Sequence, residues 1–94
     1  MAIQAAGEFE IISKTILMKL DRRLDDQPNN TGLVTMKRRM EDAVGWAKAG
    51  VKIDAQKLKA FADACDSMRE NFRNDAQLSD QLFDLLDFLE YRLG

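Results

Sequence analysis

Three carboxylates, Asp80, Asp84 and Asp87, recur near the C-terminus at spacings that place them on one helical face. Such a trio can hold a divalent cation or carry acid/base chemistry, but catalytic carboxylates need desolvation or a metal partner. The residues around them are nearly all apolar, so this ridge reads as the solvated strip of its helix, and neither a metal nor a catalytic site is expected there. Cys65 lies within the run Leu58, Phe61, Cys65, Met68 and Phe72, and the chain has no His to activate it or to build a zinc site. It is expected to be a small core residue.

The other residues with chemistry to offer are cationic and aromatic. Lys37-Arg38-Arg39 and Arg22-Arg23 bracket a Pro-Asn turn, and guanidinium forks present paired donors to phosphate oxygens. The plainer alternative is a solvated face, partly neutralised by Asp25, Asp26, Glu41 and Asp42. Trp46 falls near Arg39 on the helical wheel, where it either packs at an interface or stacks on a base. No glycine-rich phosphate loop follows a strand, and no nucleophile and base can be paired without His. The chain is therefore expected to bind rather than catalyse, with no cofactor.

The elements that must position these residues are helical. One proline and five glycines make the punctuation sparse. A first helix is predicted over 7–24, with Phe9, Ile12, Ile16, Leu20 and Leu24 on one face. Pro28 disfavours helix at the residue before it, and Asn29-Asn30 suits a turn and an N-cap. A second helix over 31–49 carries Leu33, Met36, Met40, Ala43, Val44 and Ala47, with Gly50 as its stop. A third, over 55–73, starts after Asp54. A fourth, over 76–93, is leucine-rich, with Leu78, Leu82, Leu85, Leu86, Leu89 and Leu93. Asn74-Asp75 is a weak break, so the last two are either separate or one bent helix. The expected fold is all-α: one domain over 1–94, a small bundle of three to four helices built on an antiparallel helical hairpin.

The fourth helix leaves only a narrow polar ridge of Asp80, Asp84, Asp87 and Tyr91, so it is either central in the fold or buried against another chain. Phe83 and Leu86 widen its apolar side, while Phe88 falls outside the main stripe. The first helix has its own surplus in Ile11 and Met18, seven apart and opposite Phe9 and Ile16. These second stripes, Ile11 and Met18 with Phe83, Leu86 and Phe88, predict a homo-oligomer.

Composition is that of a folded chain, with 46% hydrophobic and 32% charged residues. A net charge of −2 argues against a DNA-binding domain. Residues 1–53 carry nine Lys/Arg against seven Asp/Glu, and residues 54–94 five against nine, so a basic and an acidic half can face one another within or between subunits. A single cysteine excludes an intrachain disulfide, and the start MAIQAAGEFE has neither a basic nor an apolar leader region. No segment is long and apolar enough to span a membrane. A cytoplasmic protein is expected.

The segment Met40-Glu41-Asp42-Ala43-Val44-Gly45-Trp46-Ala47-Lys48-Ala49 resembles the Leu-Glu-Glu-Ala-Val-x-Trp-Ala-x-Ala signature of phage anti-CBASS cyclic-nucleotide sponges. Pro28-Asn29 stands where that family has a Pro-Asp turn, and Phe9-Glu10 where it has an aromatic-acidic pair, so the likeness extends over Phe9 to Val51. The family's aromatic-His-Pro-Pro segment has no counterpart, its usual basic residue falls at Ser13 beside Lys14, and residues 54–94 lie beyond the likeness. The resemblance implies an oligomer that sequesters a cyclic di- or trinucleotide between protomers without cleaving it, in the host cytoplasm if phage-encoded. Lys14, Arg22, Arg23, Lys37, Arg38 and Arg39 would then meet phosphates, with Phe9 or Trp46 as stacking surfaces. A reading of a different class is an interaction module whose apolar faces on the first and fourth helices dock onto a host protein.

Overall fold

Asn30, Asp54 and Asp75 each sit just before a helix with a side-chain oxygen accepting the N–H of the residue three ahead: Leu33 at 3.2 Å, Lys57 at 2.8 Å and Leu78 at 2.9 Å. Each satisfies one of the first-turn N–H groups that a helix leaves without an internal partner. The computed structural model describes residues 6–50 and 52–93, with side chains up to Tyr91. Among them are four α-helices: α1 (Ala6–Asp26), α2 (Thr31–Ala49), α3 (Ala55–Asn71) and α4 (Ala76–Phe88). The chain continues from α4 into a wider, π-type turn over Leu89–Leu93. No strand occurs among the described residues.

Helix α2 ends where expected. Gly50 adopts a left-handed conformation (φ 64°), and its N–H bonds back to the Trp46 carbonyl at 3.0 Å and the Ala47 carbonyl at 3.3 Å. The other limits differ from the sequence pattern. Helix α1 runs two residues past Leu24 and closes when the Gln27 N–H bonds to the Arg23 carbonyl. Helix α3 stops at Asn71, before the expected 73, because Phe72 leaves helical geometry (φ −120°, ψ 48°) and its carbonyl accepts the N–H of Asp75 in a turn. That turn, with the Asp75 cap, makes α3 and α4 separate helices.

All four helices feed one core. Ile16 and Leu20 of α1, Leu33 and Met40 of α2, Phe61, Cys65 and Met68 of α3, and Leu78, Leu82 and Leu85 of α4 are buried, joined by Ile53 from the α2–α3 connection. Helix α4 touches both α1 and α3, and its terminal turn reaches α2. It thus buries apolar side chains toward two neighbours at once, which accounts for its broad apolar character within a single chain. Leu93 of the expected stripe lies outside the described side chains.

Two aromatic residues expected at surfaces are core residues. Phe9 is fully buried and its ring lies 5.3 Å from that of Phe88, which is 8% exposed. The pair joins the start of α1 to the end of α4 in a tilted contact favoured by ring quadrupoles. Phe88 left the main stripe on the wheel because it faces α1, while the leucines face the centre of the bundle. Leu86 is partly buried and packs against the same core.

Leu82 is fully buried within this cluster. Leu82→Ala should lower stability by about 2–5 kcal/mol, the usual range for buried leucine truncation, as read by urea denaturation; a loss under 1 kcal/mol would contradict the burial of the α4 leucines in the shared core. Asp75 also accepts a bond from Lys19 at 2.5 Å, and this with the Leu78 N–H holds its carboxyl below the ordinary 3.8. A group with a depressed folded-state pKa stabilises fully above its ordinary value, and that contribution fades as pH falls through the folded value. Stability should therefore drop in acid less steeply for Asp75→Asn than for the native chain, and parallel acid profiles would remove the Lys19–Asp75 pair as a cause.

Candidate functional site

Successive residues on an α-helix point about 100° apart, so Lys37, Arg38 and Arg39 leave α2 in three directions. Lys37 turns into the seam between α1 and α2, where its ammonium meets Asp21 at 2.8 Å. That carboxylate raises the Lys37 pKa. Lys14 occupies the same seam and pairs with Glu10 at 3.2 Å, while Lys48 reaches Glu10's other oxygen at 3.2 Å. The two ammoniums, Lys48 first, hold the Glu10 carboxyl below its usual value. Both predicted phosphate ligands here are thus already engaged by carboxylates.

Arg22 and Arg23 lie elsewhere, at the end of α1. They share a hollow of about 320 Å³ with Lys19, Asp26, Phe72 and Asp75. The Arg23 guanidinium stands 4.6 Å over the Phe72 ring, and Lys19 is committed to Asp75. Three cations and two carboxylates leave this hollow close to neutral. Arg38 is exposed on the outer side of α2, away from both.

Arg39 lines a separate groove of about 280 Å³ between α2 and α3. Gly32, Ala60 and Ala64 form a floor of small residues, and Thr31, Thr35 and Ser67 bring hydroxyls to its walls. Arg39 is paired only loosely, its guanidinium 3.8 Å from Asp42, so it can turn toward a ligand. Asp63, on the opposite wall, is 3.7 Å from Lys59. Seven residues along from Arg39, two turns on and on the same face, Trp46 lies beyond the groove's lining. It is partly buried against the core, with the Lys57 ammonium 5.9 Å from its ring centroid.

The structure thus places Arg39 in the groove's lining, leaves Trp46 two turns farther along α2 outside that lining, and sends Lys14, Lys37, Arg38, Arg22 and Arg23 elsewhere. Phe9 is withdrawn entirely, since a ring buried in the core offers no face to a ligand. Ser13, where the resembling family carries a basic residue, is also fully buried. Of the surface residues expected at an interface, Ile11 and Met18 are exposed, and Phe83 is half exposed beneath the Arg69 guanidinium, 4.4 Å from its ring. Asp80 and Asp87 stand in solvent. Sequence reasoning missed Lys57 and the hydroxyls of Thr31, Thr35 and Ser67. The Ala60/Ala64 pair at i, i+4 was the legible sign that a neighbouring helix leaves room there.

No family model, curated protein or solved structure matches the chain.

Burial pushes the Cys65 thiol up to about 12, so almost no thiolate exists at pH 8 in the folded protein. A disulfide reagent at pH 8 should label Cys65 only at the rate of unfolding, rising steeply in urea; fast labelling without denaturant would show that the side chain is not enclosed.

Proposed function

We propose that this is a non-catalytic binding protein that sequesters a cyclic oligonucleotide, seating one nucleotide unit in the α2–α3 groove. The observation that carries the reading is the meeting, in that one groove, of a loosely held guanidinium, a run of hydroxyls and small residues, with an indole under an ammonium two turns beyond it on the same face of α2. Guanidinium and hydroxyl groups suit phosphate and ribose oxygens, and the small floor lets a flat base approach the helix backbones. Asp63 accepts N–H groups from a base edge. The volume is at the small end for a ligand cleft, so it takes one unit of a ring and leaves the remainder outside.

The resemblance to phage sponges supports the same helix. Its signature, Met40 to Ala49, lies on α2, and the tryptophan of that signature stands on the face of α2 that carries Arg39. The α1–α2 pair forms an antiparallel hairpin in this reading, with Glu10 tied to Lys48 at one end and Asp21 to Lys37 at the other. Such a protein works by holding a messenger away from its receptor, in the cytoplasm of the cell where that messenger is made.

Isothermal titration with cyclic di- and trinucleotides tests this directly, with Trp46 emission as a second readout because it is the chain's single tryptophan. One member should bind stoichiometrically and be recovered intact. Arg39→Glu, and Ala60→Leu which fills the groove, should each weaken binding at least about tenfold, equivalent to roughly 1.4 kcal/mol. Arg38→Glu, on the far side of α2, should leave affinity unchanged. Silence across the panel, or equal losses at Arg38 and Arg39, would overturn the assignment.

A further inference from the structure

The outer face of the α1–α2 pair, on the opposite side of α2 from the groove, carries three of the exposed large apolar groups among the described side chains. Ile11 is 68% and Met18 58% exposed on α1, and Val34 is 42% exposed on α2. Leu17 and Val44 lie between them, partly buried, in a shallow depression of about 300 Å³. An apolar strip rimmed by charges marks an interaction surface. What selects its partner is the order of those charges.

Glu10, Lys14 and Asp21 follow one another along the α1 edge, reading minus, plus, minus. On the α2 edge, taken from the same end, Lys48, Glu41 and Lys37 read plus, minus, plus. The end members meet across the seam as ion pairs, at 3.2 Å for Glu10–Lys48 and 2.8 Å for Asp21–Lys37. For the three charges nearest the seam, one edge is therefore the sign-inverted image of the other at matching levels, the middle pair being offset by about one turn of helix, and Arg38 adds a further positive charge beside Lys37. A face with this property is complementary to itself.

We propose that a second copy of this chain docks on this face, related by a two-fold axis running along the seam, so that α1 of each copy lies over α2 of the other. In that register Glu10 meets the partner's Lys48, Lys14 the partner's Glu41 and Asp21 the partner's Lys37. The other face-to-face two-fold, across the seam, sets α1 on α1 in reverse and brings Glu10 against the partner's Asp21 and Lys37 against the partner's Lys48. Like charges in apposition disfavour it. Gly45 fits the first arrangement. It is exposed in the interior of α2, and a Cβ there would meet nothing within 4 Å inside the chain, so the vacancy on the helix admits the partner's Ile11.

Sedimentation equilibrium of the full chain tests the proposal, which stands whether or not a nucleotide binds. The protein should be a dimer at micromolar concentration, weakening as salt screens the edge charges. Met18→Glu, which sets a carboxylate against the partner's Glu41, should raise the dissociation constant at least tenfold with unchanged helicity. Reversing the α1 row (E10K, K14E, D21K) or the α2 row (K37E, E41K, K48E) should each abolish self-association, and the two variants mixed should restore an equimolar heterodimer. A native chain that stays monomeric to about 100 μM, a dimer insensitive to Met18→Glu, or row-reversed variants that dimerise alone would each overturn it. Should the reversed chains fail to fold, the Met18→Glu comparison alone decides.

Discussion

Every helix of this chain must give its apolar stripe to the same core, because 94 residues with one cysteine have no covalent tie to replace burial. Four stripes meeting at one centre fix the rotation of each helix about its own axis. Once Ile16 and Leu20 point inward on α1, and Met40 and Ala43 on α2, every remaining side chain is assigned a direction. The Phe9–Phe88 contact completes the arrangement by joining the first helix to the end of the last. The surface is what this common burial leaves over.

That constraint governs the basic residues more strictly than their clustering in sequence. Three consecutive cations look like one patch on paper, yet the rotation that buries Met36 and Met40 directs Lys37 to the α1 side, Arg39 to the α3 side and Arg38 outward. Carboxylates then claim unequally. Asp21 holds Lys37 at 2.8 Å, whereas Asp42 stays 3.8 Å from Arg39. A cation firmly paired in the folded state has to give up that partner before it can hold a ligand, while a loosely paired one has little to give up. This difference, and not proximity in sequence, makes Arg39 the distinctive member of the trio.

Helical periodicity and capping were legible from the residues themselves. Asn30, Asp54, Gly50 and the 3-4-3-4 run through Cys65 act locally, within a turn or two, and local rules describe them. Phe88 was misread because a wheel drawn for an isolated helix has one core direction, whereas α4 has two, toward α3 and toward α1. Phe9 was offered to a ligand for its resemblance to an aromatic-acidic pair, although its place at the head of the α1 stripe already pointed inward. The groove was the least legible feature. Arg39 meets Ser67, and Trp46 meets Lys57 two turns beyond, only when α2 and α3 are set side by side, and no spacing within either helix records their separation.

Helix α2 brings these threads together, since it lies between the α1 seam and the α3 groove. Glycine within a helix costs about 1 kcal/mol relative to alanine, and α2 contains two, Gly32 and Gly45. At Gly32 the reason is local: a Cβ would come within 3.2 Å of the Asn30 side-chain oxygen that caps the helix. Gly45 has no such reason inside the chain. Its φ is not positive, its surroundings are open, and alanine would fit. A residue that weakens its helix while satisfying nothing in its own fold is best understood through something that approaches from outside, and the proposed two-fold sets another copy's α1 over this face.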